Sequence, residues 1–335
     1  MTESAVTAVG PEVGLNDFWQ WRAQSFLWKY GPPFLIVVGI ILNSLTIVVL
    51  LKQKFGKSST RILLIALALS DSSCLLIEPF FHWATKIFPG FNKRRFSAAP
   101  ASCPFQIFFT YFIRQFASWM VMFLTVERWL SVSYPLKARL LCTARRVWAS
   151  ISAAVIFLLL LNAHILFFYR VGNTFRCSMK WNQEYVNFFL TFWYWIDMML
   201  YCGVPFLVIA LCNLSILHAL IQSNLNRKHL HTTENKSEGD ASRLTSVTYM
   251  LTTVSIFFIL LTLPRQAYFI WVGMLPPASE RSMELIANSY LAYSIANLMS
   301  YINNTINFLL YCISGRHFRQ EVVKMFRKIK SGHDQ

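Results

Sequence analysis

The order of hydrophobic and polar positions divides the chain into seven apolar segments, at about 31–51, 62–84, 104–130, 147–169, 188–221, 246–273 and 286–312. Each reaches or exceeds the roughly 20 residues a helix needs to cross a ~30 Å hydrocarbon layer. Short polar segments separate them, and no internal repeat is visible. Beyond the seventh, Gly315-Arg316-His317-Phe318-Arg319 leads into QEVVKMFRKIK, where Phe318, Val322, Val323 and Phe326 recur at helical spacing with bases opposite. That pattern predicts an amphipathic helix lying on the inner leaflet. The expected fold is therefore an all-α membrane protein, a seven-transmembrane helix bundle with an amphipathic eighth helix. Residues 1–29 form its lead, 30–312 the bundle, and 313–335 the eighth helix and a short tail.

Composition removes the soluble alternatives. Hydrophobic residues make up 55% of the 335 positions and charged residues 14%, too little polar surface for a water-soluble domain. A net charge of +16 would suit nucleic acid, but the bases lie mainly in the connections between apolar runs, so no nucleic-acid partner is expected. Placing residue 1 outside gathers Lys52, Lys54, Lys57, Arg61, Lys137, Arg139, Arg145, Arg146, Arg227, Lys228, Lys236 and Arg243 inside, as the positive-inside rule favours. The first outer loop, with Lys86, Lys93, Arg94 and Arg95, is the exception. It hints at an acidic ligand or approach path, or it is a solvated loop touching headgroups. No apolar core marks a cleavable signal in residues 1–26, so the first span is expected to act as signal anchor. Trp19, Trp21 and Trp28 suit a membrane–water interface. The polar loop 223–244 carries Thr232, Thr233, Ser237 and Ser242 as phosphate acceptors. Seven cysteines show no metal-ligand spacing, and no nucleophile–base set appears. Neither a metal centre nor an enzymatic activity is expected.

The chemistry lies in charges inside apolar runs. From Cys103 an apolar stretch runs to Glu127-Arg128-Trp129, whereas an ordinary anchor would place lone snorkelling bases there. Asp71 sits near the middle of the second segment, where a charge costs about 2.5–3.5 kcal/mol on insertion scales, so it should face a polar interior. Glu78, Arg114, Asp197 and Arg265 lie in the outer halves of their segments. Arg114 is 11 residues beyond Cys103, about 16 Å along a helix, and shares a face with Thr110. These charges are either the polar floor of a ligand site or salt bridges that only fix packing. Tyr111, Trp193, Trp195, Tyr268 and Tyr301 are neighbours able to stack on ligand rings or cations.

These residues fall into one order. Asn43 in GIILN, Asp71 in LALSD, Cys103 above Glu127-Arg128-Trp129, Trp148, Pro205, Pro264 in LTLP, and Asn303, Asn307 and Tyr311 in NNTINFLLY follow the motifs of the rhodopsin-like (class A) G-protein-coupled receptors. The chain resembles that family over nearly its whole length. The resemblance implies a multi-pass plasma-membrane receptor with an extracellular amino terminus, coupled to heterotrimeric G proteins, with membrane lipid and arrestin as further partners. It implies a Cys103–Cys177 disulfide and assigns Glu127, Arg128, Trp129, Phe258, Pro264, Asn307 and Tyr311 to coupling and activation. Asn43, Asp71, Asn303 and Asn307 would form an inner polar network, holding either an allosteric Na⁺ or water, with no other cofactor. The outer-half charges and their neighbours, Glu78, Thr110, Tyr111, Arg114, Asp197, Arg265, Tyr268 and Tyr301, are the expected ligand site.

Departures from the pattern narrow the reading. Thr262 replaces the usual switch tryptophan, Phe308 the seventh-helix proline, and Asn213 a tyrosine that meets the arginine in active relatives. Ala117 takes the usual serine place beside Ser118, and no acid stands at Arg243-Leu244, so Arg128 lacks an acidic lock from the sixth helix. Thr110 stands where aminergic receptors have their Asp, and Tyr301 where opsins carry the retinal lysine. Asn-x-x-Asn-Phe-x-x-Tyr-Cys is similar to FMRFamide-type and related neuropeptide receptors of invertebrates. The expected function is a receptor for a short neuropeptide. The alternatives are a receptor for a small acidic or aromatic metabolite, a scaffold that does not couple, or a seven-helix transporter or channel.

Overall fold

A computed structural model describes residues 15–52, 58–179, 182–229, 238–277 and 280–331. Seven long helical spans dominate it: Trp19–Lys52, Ser58–Ile87, Ser102–Ser133, Ala144–Phe168, Gln183–Gln222, Glu238–Gly273 and Met283–Ser314. The first six are long and apolar enough to cross a membrane. The seventh has the length, at 32 residues, but its Ser and Asn residues dilute its hydropathy. Ser294, Asn297, Ser300, Asn303, Asn304 and Asn307 are all buried, so this polar face turns into the bundle and not towards lipid.

The first helix begins at Trp19, within the stretch read as a lead. Gln20, Gln24 and Trp28 recur every four residues and are buried on one face. Lys86 Nζ donates to Gln24 Oε1 at 2.8 Å, and Trp28 Nε1 to Ser294 Oγ at 2.7 Å. These bonds to the second and seventh spans hold a segment too polar for hydropathy to reveal. Pro33 removes the N–H that would have bonded the Lys29 carbonyl, and Trp83 Nε1 donates to that oxygen instead, at 3.1 Å.

The fifth span contains two π turns, Phe189–Trp193 and Met199–Gly203. Such turns leave the i→i−4 ladder irregular, and the third span compensates. Trp119 Nε1 donates to the Leu200 carbonyl at 3.0 Å, and Ser118 Oγ to that of Tyr201 at 2.7 Å.

One small sheet departs from the all-α expectation. Strand β1 (Tyr169–Val171) pairs antiparallel with β2 (Cys177–Met179), with Val171 opposite Cys177. Three-residue strands are too short to show a period in sequence. The Cys103–Cys177 disulfide ties this hairpin to the start of the third span. A short loop helix, Phe91–Ala98, lies beside it.

The main apolar core lies between the spans towards the Arg128 end, with Leu64, Leu67, Met120, Leu124, Val254 and Phe258 buried. The tail helix Arg316–Ser331 docks on it through Phe318, whose ring meets Phe308 at 5.7 Å and Tyr311 at 5.5 Å. At Gly39 an added Cβ would run into Leu75 Cδ1, so a larger residue there would force the Leu75 side chain to shift between the first and second spans. Trp148 is exposed on the outside of the bundle. Lys54, Lys57, Thr232, Thr233 and Ser237 lie outside the described residues, as do the first fourteen.

Candidate functional site

Three polar groups are set into the apolar bundle. The first lies towards the Cys103 end, between the second, third and sixth spans. Glu78 is its centre: Arg265 Nη2 donates to Oε1 at 2.7 Å, and Arg265 Nη1 to Oε2 at 3.5 Å. Arg114 Nε stands 4.0 Å from Oε2, and its guanidinium lies 4.6 Å over the Tyr201 ring. One carboxylate therefore serves two guanidinium groups. The buried Nε of each arginine has no hydrogen-bond acceptor. Asp197 has partners of its own: its Oδ1 accepts from Gln115 Nε2 at 2.8 Å, and Gln115 Oε1 accepts from Asn162 Nδ2 at 2.7 Å. Gln115 and Asn162 were not singled out in the sequence, although Asn162 is a lone amide at the end of a long apolar run.

Aromatic rings surround this group. Trp28 lies 3.8 Å from His82, with the rings tilted, and 6.4 Å from Tyr301, while Tyr293 lies 5.5 Å from Tyr268. Of the sequence candidates, Tyr301 and Tyr268 belong to this wall. Tyr111 packs 6.1 Å from Trp193 towards the fifth span. Thr110 donates its hydroxyl to the Gln106 carbonyl of its own helix at 2.8 Å. Trp195 is 51% exposed and faces out of the bundle, so the suggestion that it stacks on a ligand fails. Trp28, expected at the membrane–water interface, is instead buried in the bundle; His82, Tyr201 and Tyr293 were missed, because aromatic residues are too frequent here for any one to stand out.

The second group is at the other end of the third span. Glu127 and Arg128 are both buried, with Arg128 Nη2 3.6 Å from Glu127 Oε2. Ser59 and Thr60, from the start of the second span, donate to Glu127 Oε1, the latter at 3.0 Å. Arg128 Nη2 in turn donates to the Thr60 hydroxyl. The pair is thus held across spans by two hydroxyls, where the sequence showed only a missing acid. Trp129 packs on Tyr134, with ring centroids 5.5 Å apart.

Between these groups, Asp71 Oδ2 accepts from Asn307 Nδ2 at 2.7 Å, and Asn43 Nδ2 donates to the Asn304 carbonyl at 3.0 Å. Asp71 Oδ1 and Asn43 Oδ1 are buried without a partner, and Asn303 is buried. Each of these two oxygens is a buried acceptor left unspent, one of them a carboxylate's. The Ser118 hydroxyl is not in this group, because it bonds Tyr201 in the fifth span.

The family model for the 7 transmembrane receptor (rhodopsin family) matches residues 42–311. The chain belongs to that family. It is similar to the FMRFamide receptor of Drosophila melanogaster, 27% identical over 316 residues that cover 89% of this chain and 53% of that protein. It is 24% identical to the sex peptide receptor of the same fly, covering 90% of this chain and 72% of that one. The galanin receptor type 2 of Mus musculus is also 24% identical, with 93% and 78% covered. The chain spans about half the length of the fly FMRFamide receptor.

Membership places this chain among multi-pass membrane proteins that are receptors and not enzymes, and its departures from the family pattern can be located. Thr262 donates to the Phe258 carbonyl, and Phe258 is buried 5.6 Å from Phe206. Asn213 bridges the fifth and sixth spans, its Nδ2 donating to Ser255 Oγ at 2.8 Å. Phe308, in the place of the proline, packs on the tail helix. Pro264 stands within the sixth span, one residue before Arg265. The side chain at Arg243 lies outside the described residues.

Proposed function

We propose that this chain is a cell-surface receptor for a short extracellular peptide and that it activates heterotrimeric G proteins. The reading places residue 1 and the Cys103 end outside, and the Arg128 end and the tail helix on the cytoplasmic side. The observation that carries it is the buried group of Glu78, Arg114 and Arg265 beneath an aromatic wall. Two guanidinium groups share one carboxylate there and keep N–H donors without acceptors. Buried donors left unmatched cost free energy, and intramembrane charges default to function. A peptide offers backbone carbonyls, a terminal amide or carboxylate, and side-chain rings, which match unspent N–H groups and aromatic walls. The names of the similar proteins agree with a peptide ligand.

The mechanism follows from where the groups sit. Ligand acceptors drawn to Arg114 and Arg265 would compete with Glu78 and alter the tie between the second and sixth spans. Outward movement of the sixth span at the other end would open a cavity beside Arg128. Arg128 would leave Glu127 and Thr60 to meet the G protein. The same unspent N–H groups support a second reading, a small acidic metabolite as ligand. Both are tested by measuring G-protein activation in cells expressing the chain, against amidated peptides, amino acids and organic acids, with Arg128→Ala as control. A peptide response lost in the control supports the proposal. A response confined to acids replaces the peptide, and silence despite surface expression removes coupling.

A further inference from the structure

The chain carries no Asp or Glu between Glu78 and Glu127, and none between Glu127 and Glu184. These two acid-free stretches supply the loop helix Phe91–Ala98 and the hairpin β1–β2, which the Cys103–Cys177 disulfide pins beside the start of the third span. Four cations stand exposed on them: Lys93, Arg94, Arg170 and Arg176. Lys93 Nζ lies 5.9 Å from the centre of the Phe175 ring at the hairpin tip, so the two elements meet. Arg170 pairs with Ser178 on the exposed face of the hairpin, while Tyr169, Val171, Cys177 and Met179 are half-buried on the other. None of the four makes an ion pair among the described residues.

Two other bases that looked part of this patch serve different ends. Lys86 donates to Gln24. Arg95 bonds Ser102 Oγ at 3.2 Å and the Gln106 amide, and lies between the Phe81 and Phe96 rings at 4.1 and 4.5 Å. The unsatisfied charge is therefore not that of the first outer loop alone. It is a rim shared by that loop and the hairpin.

Cations in short loops on the outer side oppose the charge bias that orients membrane proteins. Anionic lipid, which would hold them, is a feature of the cytoplasmic leaflet. We propose that this rim is a docking surface for an acidic segment of the extracellular ligand, which it captures before another part of that ligand reaches Arg114. The proposal rests on the receptor reading above, which puts the Cys103 end outside. A like-signed patch of this kind raises association rates and makes them fall with ionic strength.

The test uses the full chain in nanodiscs of zwitterionic lipid, with a fluorescent oligoglutamate peptide as probe and oligoglutamine as control. The comparison protein is the K93Q/R94Q/R170Q/R176Q variant. Oligoglutamate should bind, weaken steeply as salt rises, and lose about tenfold or more in affinity in the variant; oligoglutamine should not bind. Single R94Q and R176Q variants, each expected to show part of the loss, keep the test valid if the fourfold change disturbs folding. Equal binding of the two probes, or oligoglutamate binding unchanged in the variants, would overturn the proposal. Binding of a heparin fragment but not oligoglutamate would also overturn it, in favour of a polysaccharide. Because binding is read without a G protein, the two readings fail separately. Oligoglutamate capture without any peptide-driven signalling removes the peptide receptor and leaves the rim. Peptide signalling with no rim-dependent capture does the reverse.

Discussion

At the scale of single residues, the contact that most changes the account is the one from Ser59 and Thr60 to Glu127 and Arg128. Hydroxyls at the start of a helix usually read as caps for its own backbone, so nothing in the sequence pairs them with the third span. In the structure they hold the ionic pair in place of an acid from the sixth. Replacing both with alanine should free Arg128 and raise ligand-independent G-protein activation several-fold, measured against equal surface expression. An unchanged basal level would mean that the restraint lies elsewhere. Glu78 is a second such position. Glu78→Gln leaves two buried guanidinium groups facing a neutral amide, and breaking a buried pair costs about 3–5 kcal/mol. The expected outcome is a marked fall in thermal stability of the purified protein together with loss of ligand response. Stability equal to the parent would show that the charges were never coupled. Asp71, Glu127, Arg128 and the four outer charges were legible because a charge in an apolar run is rare. Gln115 and Asn162 were not, since a neutral amide carries no such penalty and its partner lies on another helix.

At the scale of elements, the first, second and fifth spans depart most from simple apolar helices. The first extends back to Trp19 only because Gln24 and Trp28 find partners in the second and seventh. Tertiary contact outweighs local hydropathy here, so no window over the sequence alone would have placed that start. The first and second spans touch at Gly39, where an added Cβ meets Leu75 Cδ1. Gly39→Ala should destabilise by about 1–3 kcal/mol through overpacking, and Leu75→Ala in the same chain should recover part of the loss in thermal unfolding. Failure of that rescue would point to the Thr305 hydroxyl, 3.0 Å from the added atom. The hairpin was invisible for a different reason, being too short for a pattern, yet its position follows from Cys177. The bond to Cys103 spans 74 residues, and in the chain-entropy account such a loop contributes about 4 kcal/mol. Cys103→Ser should therefore lower surface expression and thermal stability. It should also weaken oligoglutamate capture, because Arg170 and Arg176 lose their anchor.

At the scale of the whole molecule, three polar groups lie along an apolar bundle: the outer charges, the Asp71 network and the Glu127–Arg128 pair. Seven spans and the amphipathic tail were legible because helical length and hydropathy are set by the membrane and not by neighbouring helices. The seventh was legible by motif more than by hydropathy, since its polar face is turned inward. What the sequence could not supply was the pairing between spans, which depends on side chains far apart in the chain. In the proposed function this pairing links an outer ligand to G-protein activation through Arg128. Its most direct test is nucleotide exchange on a purified heterotrimeric G protein, with the chain in nanodiscs and an activating peptide from the cell screen. Peptide should accelerate exchange on the parent protein, and Arg128→Ala should abolish the acceleration while peptide binding persists. Peptide-driven exchange that survives in Arg128→Ala would contradict this link.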